Sequence, residues 1–353
     1  MALIRTRRVK KEVQILIEVK NLVKRYGDRN VVNDLSFQVD KGQIVGFLGP
    51  NGAGKSTTMN IITGYISATE GSVMVNGYDV YEEPEKVKAS IGYLPEQPPL
   101  YPDMLVREYL SFVCDLKKVK KDDKEKVMTK VMRKTRIGDV SERLIKHLSK
   151  GYKQRVGLAA AMIGDPEILI LDEPTVGLDP KQIMEIRDLI RELSKQHTIL
   201  LSSHIMQEVD AVCNQILIIN EGRLIVADTP EEIAKRAEGK NNITLQVKGE
   251  KEQIQSALEK MEHISDIRIL KTGDVGICQV ELGSPSEYDV REEIFYAMAE
   301  IRCPILEMVS KEPTLEEAFI SLTGSGSRQQ GGRSARKKRN LMKQKEEDNV
   351  SDI

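Results

Sequence analysis

The chain has 353 residues, 53 Lys and Arg against 54 Asp and Glu, a net charge of −1, and 4% aromatic residues with no Trp. At about 150 residues per domain the length suits two domains; the balanced charge excludes a global basic field for nucleic acid, and the scarcity of aromatics argues against base-stacking surfaces. Cys114, Cys213, Cys278 and Cys303 are scattered with no C-x-x-C pair, which speaks against a zinc site or disulfide framework and makes a reducing compartment the default.

Residues 1–12 form a basic N-terminal segment with Arg5, Arg7, Arg8, Lys10 and Lys11, and no apolar stretch of signal-peptide length follows. No window approaches the roughly 18 apolar residues of a membrane span. The expectation is a cytoplasmic protein that, if it works at a membrane, relies on another chain for the span.

Val13, Ile15, Ile17 and Val19 alternate with other residues and predict a half-buried strand. Arg25-Tyr26-Gly27-Asp28 reads as a turn; Leu35, Phe37 and Val39 alternate again, and Asp40-Lys41-Gly42 turns the chain once more. With a short strand at 72–75, these pieces predict a small antiparallel sheet. An apolar run, Ile44-Val45-Gly46-Phe47-Leu48, then leads into Gly49-Pro50-Asn51-Gly52-Ala53-Gly54-Lys55-Ser56-Thr57, and a helical pattern follows at 58–66. The spacing fits the phosphate loop G-x-x-x-x-G-K-[ST]. Glycines let backbone N–H groups turn inward, and a helix N-terminus adds partial positive charge. Lys55 is placed to reach the β- and γ-phosphates of a nucleotide, and Ser56 to hold Mg²⁺.

Residues 91–94 predict a strand stopped by Pro95, and the three prolines Pro98, Pro99 and Pro102 forbid regular helix just after it. From 106 to about 136 the pattern is helical and very basic, with Lys117, Lys118, Lys120 and Lys121; it reads as a solvated face or as a contact for anionic lipid headgroups. Ser149-Lys150-Gly151-Tyr152-Lys153-Gln154-Arg155 opens a helix that Asp165-Pro166 ends. Ile168-Leu169-Ile170-Leu171 reads as a strand buried on both faces. It delivers Asp172 and Glu173 at its C-terminal end, where ligands of open α/β sheets bind. Asp172 is a candidate for organising Mg²⁺, and Glu173 for polarising the water that attacks a γ-phosphate. An amphipathic helix at 181–195 leads to a strand at 198–201 that ends at His204, a candidate γ-phosphate contact. Asn220-Glu221-Gly222 lies between two apolar runs, a hairpin signal, and Thr229 caps a further helix.

Near Glu238-Gly239-Lys240 the character changes, and a domain boundary is expected there. Strands at 243–247, 267–270, 275–282 and 305–309 with helices at 253–261 and 291–301 give the order β-α-β-β-α-β of the ferredoxin-like split βαβ. A last helix is expected at 314–322. No catalytic constellation appears in this part, which reads as an interaction or regulatory module. From Gly324 the composition turns to Gly, Ser, Gln and basic residues with an acidic end, and a disordered tail is expected; its basic block reads as a solvated tail or as a membrane or RNA contact.

Phosphate loop, Leu148-Ser149-Lys150-Gly151-Tyr152-Lys153-Gln154-Arg155, Ile168-Leu169-Ile170-Leu171-Asp172-Glu173-Pro174-Thr175, Gly177-Leu178-Asp179-Pro180 and His204 together resemble, in that order, the ATP-binding subunits of ABC transporters. The match covers about residues 14–235. It implies an α/β phosphate-loop ATPase core over 13–238 with an antiparallel β subdomain and a helical subdomain at about 97–165, followed by a small α+β accessory domain at 239–323 and the tail at 324–353. The resemblance implies that Tyr26 stacks on adenine, that Ser149 and Gly151 bind the γ-phosphate of an ATP held by a second copy, and that Asp179 couples the two sites. It makes Glu173 the general base, His204 the switch histidine, ATP and Mg²⁺ the bound groups, and a head-to-tail homodimer with two sandwiched ATPs the working form. Tyr26 also reads as an ordinary exposed turn tyrosine.

Lys150 and Tyr152 depart from the family's Leu-Ser-Gly-Gly-Gln signature; this variant resembles the exporter branch with separate membrane permeases, as does Glu312-Pro313-Thr314-Leu315-Glu316-Glu317-Ala318-Phe319. Glu96 stands where the family has the glutamine that touches Mg²⁺ and the attacking water, and either Glu96 or Gln97 takes that part. The resemblance implies an ATPase peripheral on the cytoplasmic membrane face, with no nucleic acid expected. The rival is a soluble ABC ATPase acting on ribosomes or an assembly factor.

Overall fold

The computed structural model describes residues 14–237, 240–271, 276–285, 288–311, 315, 316 and 319. The expected N-terminal segment at 1–12 and tail at 324–353 lie outside them, as does most of the expected helix at 314–322.

Strands β1 (Ile15–Tyr26) and β2 (Arg29–Asp40) pair antiparallel around Gly27 and Asp28. In β2 the alternating Leu35, Phe37 and Val39 are buried while Ser36 and Gln38 face solvent, as a period of two requires. Strand β3 (Ile44–Leu48), buried at every residue, leads through the glycine-rich loop into helix α1 (Lys55–Ile62). Strands β4 (Glu70–Val75) and β5 (Tyr78–Asp79) complete a four-stranded sheet of order β2-β1-β4-β5. The antiparallel subdomain expected from alternation is therefore present.

Helix α2 (Pro84–Ser90) precedes strand β6 (Ile91–Leu94), and three helices follow, α3 (Val106–Leu116), α4 (Lys124–Thr135) and α5 (Lys150–Met162). The basic stretch expected as one helical pattern from 106 to 136 is broken. Lys118 sits at φ 56, and a short 3-10 turn, Lys121–Asp123, starts the second helix. The Lys117 side chain turns back to donate to the Lys88 and Ile91 carbonyls, both at 3.2 Å, closing the end of α3.

Strand β7 (Ile168–Asp172), helix α6 (Pro180–Leu193), strand β8 (Thr198–Ser203), helix α7 (Met206–Val212), strands β9 (Gln215–Asn220) and β10 (Arg223–Asp228), and helix α8 (Pro230–Ala237) follow. The second sheet has six strands in the order β10-β9-β3-β8-β7-β6. All its neighbours are parallel except β9 and β10, the expected hairpin. Every residue of β3, β7 and β8 is buried, which is why these strands read as unbroken apolar runs. One apolar core joins the two sheets; Phe37 and Phe47 meet in it at 5.5 Å between ring centroids. Parallel pairing aligns the C-terminal ends of β3, β7 and β8, and these ends carry the candidate site residues.

The chain divides into two compact units at Pro230 and Glu231, eight residues before the change of character in the sequence. In the second unit, β11 (Lys240–Lys248), α9 (Lys251–Leu258), β12 (Ser265–Lys271), β13 (Ile277–Pro285), α10 (Arg291–Glu300) and β14 (Ile305–Lys311) follow in sequence. The antiparallel order β12-β13-β11-β14 is that of the split βαβ arrangement. Ile243, Leu245 and Val247 point to one face and pack with Ile254 and Leu258 of α9 and Ile294 and Met298 of α10. Among the described residues no helix is long and apolar enough to cross a membrane.

Candidate functional site

Gly54 is the N-cap of α1 at φ 103, and a Cβ there would lie 2.7 Å from the Val31 carbonyl oxygen. Only glycine meets both demands. Lys55, the first residue of α1, is buried; its Nζ donates to the Gly49 carbonyl at 2.8 Å and the Pro50 carbonyl at 3.4 Å. The same Nζ lies 3.3 Å from Oε1 of Glu173, another buried side chain.

Glu173 follows β7, next to the end of β8. The parallel register sets Asp172 beside Ser202. The Ser202 hydroxyl donates to Oδ1 of Asp172 at 2.5 Å and accepts the Glu173 backbone N–H at 3.0 Å. Glu173 adopts φ 49, a left-handed conformation that a non-glycine residue rarely takes. The consequence is that Asp172 is held inward while Glu173 turns toward Lys55 and His204. Nδ1 of His204 lies 2.9 Å from Oε2 of Glu173.

A cleft of about 300 Å³ opens over these groups. Asn51, Gly52, Gly54, Lys55, Ser56 and Thr57 line it from the loop and α1; Val31, Glu96, Glu173, Val176 and His204 supply the rest. Gly49, Pro50 and Ala53 do not line it and act through their backbone. The Pro50 carbonyl accepts the Ala53 N–H at 3.1 Å, and the Ala53 carbonyl accepts from Gly222 N–H at 3.0 Å. Asp172 is 3% exposed and stands behind the cleft wall. Of the two neighbours left open by the sequence, Glu96 lines the cleft and Gln97 does not; both line a second cavity of about 370 Å³ that also holds Lys150 and Lys153.

Residues 32–176 match the family model described as ABC transporter. The linearmycin resistance ATP-binding protein LnrL of Bacillus subtilis is 31% identical over 310 residues, 88% of this chain and 98% of the relative. The bacitracin transport ATP-binding protein BcrA of Bacillus licheniformis is 32% identical over 314 residues, with coverage of 88% and 98%. A solved ATP-binding subunit of an ABC transporter superposes with a TM-score of 0.58 at 33% identity, over 63% of this chain and 92% of that one.

The chain belongs to the ATP-binding subunits of ABC transporters. It is an ATPase subunit of the exporter kind, and its first unit carries the phosphate-loop α/β fold of that family.

The signature segment of this ABC subunit lies at the start of α5. Ser149 is its N-cap and accepts the Tyr152 N–H at 3.4 Å. Gly151 is buried against α6, where a Cβ would come within 2.6 Å of Gln182 Oε1. Asp179 caps α6, accepting the Gln182 N–H at 2.9 Å. None of Ser149, Gly151 and Asp179 lines the Lys55 cleft. Gly151 lines a separate cavity with Tyr152, Arg155 and Gln182.

The two departures from the family signature have visible partners. The Lys150 ammonium stands over Gly177, at φ 71, so closely that a methyl group at 177 would collide with it. The Tyr152 hydroxyl donates to Oδ2 of Asp139 at 2.8 Å, a hydrogen bond that raises the phenol above its ordinary pKa. Arg155, one turn on, pairs with Glu185 of α6. Tyr26 is half exposed at the tip of the β1–β2 hairpin, with Lys24 Nζ 5.0 Å above its ring, and does not line the cleft.

Sequence reasoning missed Ser202, which holds both carboxylate positions. Its place after three apolar strand residues, parallel to the strand ending in Asp172, is the signal that could have found it. The left-handed backbone of Glu173 has no sequence signal, since it is imposed by the Ser202 contact and by the turn in which Val176 N–H donates to the Glu173 carbonyl at 3.2 Å.

Proposed function

We propose that two copies of this chain close head to tail on two ATPs, and that each closure and hydrolysis cycle drives an integral membrane permease. The observation that carries the reading is the buried Lys55–Glu173 pair with the exposed His204 beside it, facing a phosphate-loop cleft, with Ser149 and Gly151 outside that cleft. A cleft built from one half of the family's site requires the other half from a second copy. Lys55 takes the β- and γ-phosphates in place of the Glu173 carboxylate, and Tyr26 takes the adenine. Ser149, Gly151 and Asp179 of the second copy complete the enclosure.

The donor set suits Mg²⁺. Ser56, Asp172 and Glu96 offer hard oxygen atoms, and no cluster of three His, Cys, Asp or Glu side chains among the described residues could hold a metal alone. That matches an ion carried largely by phosphates and water; when bound, it neutralises charge on the β- and γ-phosphates. Glu173 takes the proton of the attacking water as its oxygen bonds the γ-phosphorus and the bond to the ADP oxygen breaks. His204 holds the γ-phosphate and orients Glu173. Most of the rate comes from positioning and electrostatics.

A groove of about 820 Å³ with an apolar floor including Leu94, Tyr109 and Val113 and a rim including Lys86, Lys88 and Lys118 lies at the helices that precede Ser149. It is the proposed seat of the permease, which would hold the subunit on the cytoplasmic membrane face. The relatives' names, linearmycin resistance and bacitracin transport, support antibiotics as the cargo.

The test is Glu173→Gln. With MgATP the variant should sediment as a dimer and turn over at least a hundredfold more slowly, the scale of a lost general base. Ordinary hydrolysis would remove Glu173 from the role of base, and a strictly monomeric MgATP complex would remove the sandwich.

A further inference from the structure

Glu208 lies on α7, outside every motif considered so far, and is 5% exposed. Its Oε2 accepts from two hydroxyls, those of Thr175 and of Ser203, the latter at 3.1 Å. Thr175 is 4% exposed and Ser203 is fully buried. Oε1 of Glu208 has no hydrogen-bond partner among the described residues. Burial of an acidic side chain with half its acceptor capacity unused is unfavourable and calls for a compensating role.

The two hydroxyls sit at telling places. Thr175 is two residues after Glu173, inside the turn in which Val176 N–H binds the Glu173 carbonyl. Ser203 immediately precedes His204 and also accepts the Ile205 N–H at 3.0 Å. One oxygen atom therefore ties together the two backbone segments that carry the Glu173–His204 pair. The pair depends on both segments: Nδ1 and Oε2 are 2.9 Å apart, and Glu173 holds a left-handed backbone. A residue in such a conformation keeps it only where its surroundings over-determine it.

We propose that Glu208 is a positioning residue for hydrolysis: its Oε2, as a shared acceptor for Thr175 and Ser203, fixes the orientation of Glu173 toward His204 and the attacking water. The proposal rests on the reading of Glu173 as the general base. It is the acceptor atom that matters, not a charge. Glutamine at the same place keeps an acceptor oxygen for both hydroxyls and sets its amide nitrogen where Oε1 has no partner. Leucine has nearly the same shape and no acceptor.

Steady-state ATPase kinetics of the full chain, with melting temperatures, test this. Glu208→Leu should lower kcat by about 10- to 100-fold, the range of a misplaced catalytic group, with KM for ATP within about twofold. Glu208→Gln should keep kcat within about threefold of the parent. Thr175→Val and Ser203→Ala each remove one donor and should each lower kcat several-fold, and neither loss should add fully to that of Glu208→Leu. Equal losses in Glu208→Gln and Glu208→Leu would overturn the acceptor argument. Unchanged kcat in Glu208→Leu, with only a lower melting point, would reduce the residue to packing. Should Glu208→Leu not fold, the two hydroxyl variants decide alone, and full kcat in both overturns the proposal. The underlying reading fails separately, if Glu173→Gln hydrolyses normally. In that background Glu208→Leu should have no further effect on kcat, and a further tenfold loss would show that Glu208 acts on something other than the base.

Discussion

Glu173 is the counter-ion of Lys55, and Glu173→Gln should therefore lower the stability of the protein measured without added nucleotide. At 3.3 Å and an effective dielectric of about 20, the gross attraction is about 5 kcal/mol. Removing one partner of a buried pair generally costs about 3–5 kcal/mol. Lys55 retains the Gly49 and Pro50 carbonyls as acceptors, so a net loss of about 2–3 kcal/mol is expected. At about 2–4 °C per kcal/mol for a unit of this size, the melting point falls by roughly 4–12 °C. A non-hydrolysable ATP analogue with Mg²⁺ supplies phosphate charge to Lys55 in either protein. The variant's ligand-induced thermal shift should therefore exceed the parent's by a similar amount. Differential scanning calorimetry of both proteins, with and without the analogue, reads all four values. A variant that, without added nucleotide, melts with or above its parent would refute the stabilising pairing of Lys55 with Glu173.

Gly54→Ala should weaken ATP binding at least tenfold in isothermal titration, because a methyl 2.7 Å from the Val31 carbonyl at φ 103 shifts the start of α1; undiminished affinity would contradict the tight loop. All four cysteines are buried and burial pushes the Cys114, Cys213 and Cys303 thiols up, so a thiol reagent at pH 8 should find less than one fast-reacting group in the native protein and four in guanidinium. Burial, then the neighbouring Tyr101, pushes the Tyr109 phenol up to about 12. An acid whose folded pKa is raised lends stability that is complete below the unfolded value near 10 and is lost as pH rises through the folded value. Tyr109→Phe should therefore flatten the fall in melting temperature between pH 10 and 12, and an unchanged slope would count against it.

The parts of the site that recur at fixed spacing in one strand or loop were legible: the phosphate loop, the Asp172–Glu173 end of a buried strand, and the His204 end of its neighbour. Their burial makes the strands continuous apolar runs, and parallel pairing brings their ends together. The ferredoxin-like succession of strands and helices was legible too, helped by alternation such as that of Ile243, Leu245 and Val247. What was not legible depends on contacts far apart in sequence. Ser202 matters because of strand register, Glu208 because it meets Thr175 and Ser203 on two separate segments of the chain. The break at Lys117 and Lys118 was hidden because lysine suits a helix as well as the turn that ends one. Glu96 and Gln97 could not be ranked from the sequence, since both line one cavity and only the fold brings Glu96 to the phosphate-loop cleft as well.

The Lys150 ammonium over Gly177 makes those two positions a matched pair. A shorter residue at 150 would uncover the turn leading to Asp179 and leave it free to flex, whereas any side chain at 177 would evict the lysine. Signature segments cannot therefore be exchanged between relatives one at a time: a graft that changes position 150 carries an obligation 27 residues downstream, and the stiffness of that turn is inherited with it.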